Sequence, residues 1–393
     1  MVAGFMFSRV ALSISTFLFG MNAIRDVHPR EWLKQKWWLL GLFWIAFYAL
    51  SWFWTTDKGN WGIRLEVKLP FLILPLAFGF LPKFSAKQLQ AITIGAGICF
   101  LISACYSLSF LITDPRASIF KYDYADVLPT LPKKDHVRAG LSVSLFIIWG
   151  FYVFPYLERR IQWFIGFVLA FLVIFIHILA VKSGLLSFYV FLVGMGIYLA
   201  FTRKKLVGII VVVTIPLLFF LAINYIPTFS KRANYVFFSI WMYQHGDASG
   251  NYGDINRLKS YEIAFDLIGD HPLTGVGTGD MLKEMTAGFY KWNPNIPEQA
   301  IILPHNQFLT IALGCGLPAM FLFMFWFFMP LGQVKKGRSG FYFIIMWLLA
   351  FMQLMIEPVL EVQFGVFVFL FFLLMQRHQM NLGTKIIALP TKA

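Results

Sequence analysis

The chain has 393 residues, 59% of them hydrophobic and 13% charged, with a formal net charge of +14. Soluble domains carry roughly 25% charged residues, so a surface that mostly faces water is excluded. The basic excess would suit nucleic acid, but the charges are placed so that topology alone accounts for them, as argued below.

A bilayer crossing needs about 20 predominantly apolar residues. Such runs lie at 4–23, 37–54, 69–82, 90–112, 139–156, 162–180, 184–201, 207–225, 306–330, 341–356 and 362–376. They lack the polar face of a surface helix. The pattern predicts an all-α, polytopic transmembrane helix bundle of about eleven spans, with twelve left open. The first run is followed by no small-residue cleavage site and reads as a retained helix rather than a signal peptide. The third is short, and Pro70 and Pro75 predict a kinked or partly re-entrant helix. Cys99, Cys105 and Cys315 fall within runs, share no metal-type spacing, and read as small packing residues.

Residues 24–36, 83–89, 157–161, 202–206, 331–340 and 377–393 carry 17 cations against three acids, and the rest of the chain carries 16 of each. The whole net charge therefore sits on one set of short connections. This is the positive-inside pattern: it makes that set cytoplasmic, the N-terminus outer and the C-terminus inner. Anionic lipid is the partner such cations imply, and nucleic acid is not needed to explain them.

Three parts follow: N-terminal helices at 1–225, a large outer loop at 226–305, and C-terminal helices with a cytoplasmic tail at 306–393. A second outer loop, 113–138, ends in Lys133, Lys134, Asp135, His136 and Arg138. Within the large loop, 246–253 is rich in turn formers. Residues 254–268 predict an amphipathic helix whose face is Leu258, Tyr261, Phe265 and Ile268. Asp254 or Asn256 would be its N-cap, which puts Arg257 in the first turn. A cation is unfavourable at that end of a helix, so Arg257 invites an anionic partner. The helix should stop around Gly269 and His271-Pro272, with a tight turn at Gly275–Gly277. The loop ends at Pro304-His305-Asn306-Gln307, so His305 stands at the outer interface where the next run begins.

Taken together, Asn256-Arg257, the helix, "HPLTGVG" at 271–277, and Pro304-His305-Asn306 leading into a helix with Gly314 and Gly316 resemble the bacterial O-antigen ligase and polymerase superfamily. The clear match covers about residues 254–318. The resemblance implies a periplasm-facing glycosyltransferase of the inner membrane. Such an enzyme takes a glycan from undecaprenyl diphosphate and attaches it to lipid A–core oligosaccharide, without metal, nucleotide sugar or other cofactor. Arg257 matches the family's loop arginine and His305 its loop histidine. Family ligases also carry a Ser-Arg pair at the outer end of an earlier helix. Here "AVKSG" at 180–184 puts Lys182 in or beside that place. The family commonly has about twelve spans.

The residues suit that chemistry. A hydroxyl attacking an anomeric carbon is helped by a base near neutral pKa, as histidine supplies. A departing diphosphate needs cations, and arginine grips phosphate with a two-pronged fork. His305 and Arg257 are thus the catalytic candidates. Arg257, Lys182 and Arg138 are the candidates for holding the diphosphate. Each has a bland reading: a polar residue at headgroup level for His305, a solvated helix residue for Arg257, snorkelling for Lys182, and a charged flank for Arg138. His177, inside a span, is an ionisable intramembrane group that reads better as hydrogen-bonded packing. His271 suits a helix C-terminus. Trp241, Tyr290 and Trp292 could stack on sugars or anchor at the interface.

The rival functions are an O-antigen or exopolysaccharide polymerase, a protein O-oligosaccharyltransferase, and a membrane transporter. A transporter predicts buried mid-span charges and paired halves, and neither stands out in this sequence.

Overall fold

Lipid offers the backbone no hydrogen bonds, so apolar runs of this length satisfy their own as helices. The computed structural model describes residues 1–82, 84–124, 126–131, 135–202, 205–245 and 253–381, and every regular element among them is helical. The turn-rich stretch at 246–252, Lys133, Lys134 and the predicted inner cations Lys83, Arg203, Lys204, Lys385 and Lys392 lie outside the described residues.

The chain opens with α1 (Val2–Phe7) and α2 (Arg9–Ile24), the latter capped by Ser8 through Ala11 N. After α3 (Pro29–Trp32) and α4 (Lys36–Leu50), α5 (Lys58–Lys68) runs into α6 (Pro70–Phe80) with a break at Leu69. A Ser85–Gln88 capping box starts α7 (Ala86–Thr113). There follow α8 (Pro115–Phe120), α9 (His136–Val153), α10 (Arg159–Leu179), α11 (Lys182–Phe201) and α12 (Lys205–Tyr225). The large loop holds α13 (Pro227–Gln244), α14 (Gly253–Asp270) and α15 (Met281–Trp292), before α16 (Gln307–Phe328), α17 (Arg338–Ile356) and α18 (Gln363–Asn381).

All eleven apolar runs are mostly helical, but the first is two helices, α1 and α2, separated by the extended Ser8. Among the described residues, eight helices, some with a 3-10 extension, are long and apolar enough to cross a membrane: Lys36–Phe53, Ala86–Thr113, His136–Tyr156, Arg159–Leu179, Lys182–Phe201, Lys205–Tyr225, Gln307–Gln333 and Arg338–Ile356. A further apolar helix, α2, is shorter. The third run is the apolar half of a longer broken helix whose first half, α5, carries Arg64, Glu66 and Lys68.

Burial separates the centre from the rim. α9 and α18 are buried along most of their length. α12 has a mean hydropathy of 3.0 yet is exposed on nearly all sides, with Val213 at 61% and Phe220 at 61%. Such a helix is stable only in an apolar solvent, and the chain is a polytopic membrane protein.

The predicted loop helix forms, with two corrections. It begins at Gly253, so neither Asp254 nor Asn256 caps it, and Arg257 falls in the second turn. Its buried face is Asn256, Ser260, Ile263, Ala264 and Ile268, while Leu258 and Phe265 are 47% and 59% exposed. Small Ser260 and Ala264 let the helix approach α16 closely. Of the predicted face, Ile268 is buried and Tyr261 half-buried, whereas Leu258 and Phe265 point outward. A separate apolar cluster of Ile263, Ala264, Met281, Met285 and Phe289 with Ala312 and Leu313 fastens α14 and α15 to α16.

The glycine-rich segment after α14 explains this docking. α16 breaks at Gly316 (φ 84°, ψ 169°), which frees backbone groups that must be paired within the membrane region. Leu317 N donates to Pro272 O and Val276 N donates to Leu313 O, both at 2.8 Å. Gly275 (φ 65°) lies so close that an added Cβ would meet Leu313 O at 2.5 Å. Beyond it, Asp280 accepts from Thr56 Oγ1 at 2.6 Å and Asp57 N at 3.0 Å, stapling the loop to the turn before α5.

Candidate functional site

His305 is the residue before the N-cap of α16. The Asn306 side chain accepts from Phe308 N at 2.9 Å and Leu309 N at 3.2 Å, which fixes the helix start. Tyr261, on α14, donates its hydroxyl to His305 O at 2.9 Å. Arg257 lies one turn before Tyr261, so one face of α14 carries both residues toward His305.

The residue that joins them is Glu357, the C-cap of α17. Its Oε1 lies 3.2 Å from Nδ1 of His305 and 3.3 Å from Nη2 of Arg257. Its side chain is 11% exposed. Burial alone pushes this carboxyl up, but His305, Arg257 and Arg138 overcome that and hold it below the usual carboxylate range. Glu357 is therefore an anion at neutral pH, and it is the anionic partner that Arg257 calls for. The His305 Nδ1 is buried and makes no hydrogen bond among the described residues, so the Glu357 carboxylate stands beside it as a charge neighbour.

Arg138 and Lys182 belong to the same end of the bundle. Arg138, in the first turn of α9, bonds Asp135 Oδ1 at 2.9 Å and Pro358 O at 3.5 Å. Lys182 is exposed at the first position of α11. Its neighbour Ser183 bonds Val137 O at 3.4 Å and accepts through its carbonyl from Gln353 Nε2 at 3.1 Å. Gln353 is one turn before Glu357 on α17. The left-handed Ala180 (φ 49°) makes the tight turn that returns α11 to this point.

Two acids and two cations that sequence reasoning passed over complete the site's support. Glu361, one turn beyond Glu357, pairs with Arg64 Nη1 and Lys68 Nζ, each at 2.9 Å, and accepts from Gln307 Nε2 at 2.8 Å. Lys68 is 0% exposed and Glu361 6%. Burial pushes the Glu361 carboxyl up, but Lys68, Arg64 and Gln307 more than offset this and bring it down to about 2. The available signal was two acids four residues apart in a short connection between apolar runs, and Arg64 and Lys68 one helical turn apart before Pro70.

The remaining candidates divide. His177 is buried, with Nδ1 2.7 Å from Val173 O and Nε2 2.8 Å from the Tyr189 hydroxyl, as a packing histidine should be. The ring of Trp292 takes Lys259 Nζ at 5.6 Å from its centroid. Among the described residues no group of three or more His, Cys, Asp or Glu could hold a metal ion.

A search of curated proteins finds no match to this chain. The family model described as O-antigen ligase matches residues 165–324, from within α10 into α16. That interval contains Lys182, Arg257 and His305. Over that interval the chain is similar to the O-antigen ligase superfamily, whose members are membrane glycosyltransferases of ligase or polymerase type.

Proposed function

We propose that the chain is an O-antigen ligase that moves a glycan from undecaprenyl diphosphate to a hydroxyl of lipid A–core oligosaccharide, on the periplasmic face of the inner membrane. The observation that carries this reading is the single carboxylate of Glu357 set between His305 and Arg257. The acceptor hydroxyl gives its proton to Nε2 of His305 while its oxygen bonds the anomeric carbon. The bond from that carbon to the diphosphate oxygen breaks, and the electron pair leaves with the diphosphate. Arg257, Lys182 and Arg138 neutralise that growing charge. Glu357 stabilises the imidazolium that forms. A diphosphate is already a good leaving group, so no separate catalytic acid is required.

The surroundings support a lipid donor. A groove of about 490 Å³ between α2 and the α5–α6 helix is lined by Leu12, Phe17, Ile73 and Phe367 and reaches Glu361. An isoprenoid chain entering from the bilayer fits such a wall. The arrangement of Arg257, its helix, "HPLTGVG" at 271–277 and His305-Asn306 resembles ligases most, which favours the ligase over the polymerase.

Two experiments test the reading. His305→Ala and Arg257→Ala should abolish transfer while the protein still inserts; transfer at the wild-type rate by both variants would sink it. Deletion of the gene, followed by analysis of surface glycans, separates the acceptors. Loss of all long glycan from lipid A–core, with lipid-linked polymer accumulating, means ligase. Survival of core bearing a single repeat means polymerase.

A further inference from the structure

Beside the catalytic cluster, at the outer end of α7, lies a second cavity of about 370 Å³. Its walls include Tyr106 and Phe110 from α7, Lys121, Asp126 and Thr130 from the loop that follows, and His136 at the start of α9. The size falls within the ~300–1,000 Å³ of small-ligand pockets. We propose that this cavity is a saccharide subsite, taking a pyranose or short oligosaccharide of the glycan being transferred or extended.

The lining argues for a sugar against the other ligands such an enzyme meets. The Tyr106 and Phe110 rings stand 5.2 Å apart at 81°, and Phe110 is 37% exposed, so an aromatic surface faces the cavity. The C–H face of a pyranose packs on such a surface. Asp126 gives one oxygen to Val127 N at 2.9 Å and keeps the other for hydroxyl donors. Among the described residues no hydrogen bond engages the His136 imidazole, leaving a donor and an acceptor for sugar hydroxyls. Lys121 adds a cation. A phosphate would meet the Asp126 carboxylate, and an isoprenoid would bury three ionisable groups against hydrocarbon, which is costly.

The walls are fixed before any ligand arrives. The Tyr122 hydroxyl donates to Leu179 O at 3.1 Å and accepts from Leu128 N at 3.3 Å. Asp126 N donates to Lys121 O at 3.2 Å, and Ser103 Oγ donates to Leu131 O at 3.2 Å. Rigid walls lower the ordering cost of binding. The cavity also shares the first turn of α9 with the catalytic cluster: His136 lies two residues before Arg138, which bonds Pro358 O beside Glu357. A sugar held here would continue toward the reacting bond.

The source of the saccharide rests on the transfer reading above; the binding itself does not. Saturation-transfer NMR on the full chain in nanodiscs tests it with glucose, galactose, rhamnose and N-acetylglucosamine at millimolar concentration. At least one should receive saturation at its ring protons. Tyr106→Ala and Asp126→Asn should weaken its binding by on the order of five- to tenfold, the worth of about 1 kcal/mol for each contact. Tyr106→Phe and His305→Ala should leave it intact, with wild-type thermal midpoints showing that all four variants fold. No saturation of any sugar, or saturation unchanged in both Tyr106→Ala and Asp126→Asn, overturns the subsite. In the transfer assay, Asp126→Asn should raise the KM for the lipid-linked donor or for the lipid A–core acceptor, and the one that rises identifies the source. A KM unchanged for both overturns the subsite too. Continued transfer by His305→Ala, with sugar binding as expected, sinks the proposed chemistry and leaves the subsite standing.

Discussion

The Glu357 carboxylate lies 3.2 Å from Nδ1 of His305, where the end of α17 meets the residue before the N-cap of α16. The two residues are far apart in sequence, and two helix ends pointing the same way bring them together. A carboxylate this close favours the protonated imidazole by its charge.

Glu357→Gln keeps the shape of the side chain and removes its charge. The expected outcome is a fall in kcat of roughly 10²- to 10⁴-fold, the range of general acid–base assistance. Glu357→Asp should recover part of that loss. Purified enzyme with a lipid-linked donor provides the measurement, with thermal midpoints as a control. A wild-type kcat for Glu357→Gln means that Glu357 takes no part in positioning His305.

Glu361→Gln tests the support beneath the site. It leaves Lys68, which is fully buried, without most of its counter-charge. Breaking one partner of a buried pair costs about 3–5 kcal/mol. Glu361→Gln/Lys68→Met, which removes the stranded cation, should be more stable than Glu361→Gln alone. Thermal unfolding in one detergent compares the two. A double variant no more stable than the single one would show that the buried charge of Lys68 is not what makes the loss costly.

The sequence made the helices legible because a bilayer leaves a long apolar run few alternatives. It made His305 and Arg257 legible because their neighbours, "HPLTGVG" and the Asn306 cap, form a local pattern. Glu357 and Glu361 were not legible in the same way. Both lie in one short connection, and their meaning comes from partners on α5, α14 and α16 that only tertiary packing brings near. The buried face of α14 was misread for a related reason. Pattern matching favours large side chains such as Leu258 and Phe265, whereas close packing on α16 selected small Ser260 and Ala264. That the third run continues a charged helix, α5, also needed the structure, since Arg64 and Lys68 are offset only by their pairing with buried Glu361.

The pH dependence of stability should carry the mark of Glu361. Its carboxyl stands at about 2 in the folded protein, below the ordinary 4.5. A group depressed on folding stabilises fully above its unfolded value, and that contribution is lost as pH falls toward the folded value. The thermal midpoint should therefore decline as pH drops from about 4.5 toward 2, and Glu361→Gln should flatten part of that decline. Glu357, also held low, contributes in the same direction. Midpoints measured across that window for both proteins give the comparison, and parallel curves would exclude Glu361 as a source of the dependence.

Gly316→Ala addresses the joint between the loop and the bundle. The residue has φ 84° and ψ 169°, a region that is essentially open to glycine alone, and holding another residue there costs of order 1–3 kcal/mol. An added Cβ would also run into the Leu273 carbonyl. Relief requires the segment after α14 to move away from α16, which breaks the bonds of Leu317 N to Pro272 O and Val276 N to Leu313 O. Those bonds and the apolar cluster beneath them fix α14 relative to α16, and so fix Arg257 relative to His305. The expected result is a lower thermal midpoint together with loss of transfer. Gly332→Ala serves as the control, because nothing lies within 4 Å of a Cβ there. If Gly316→Ala matches the control in both stability and activity, the break in α16 is not what seats the loop.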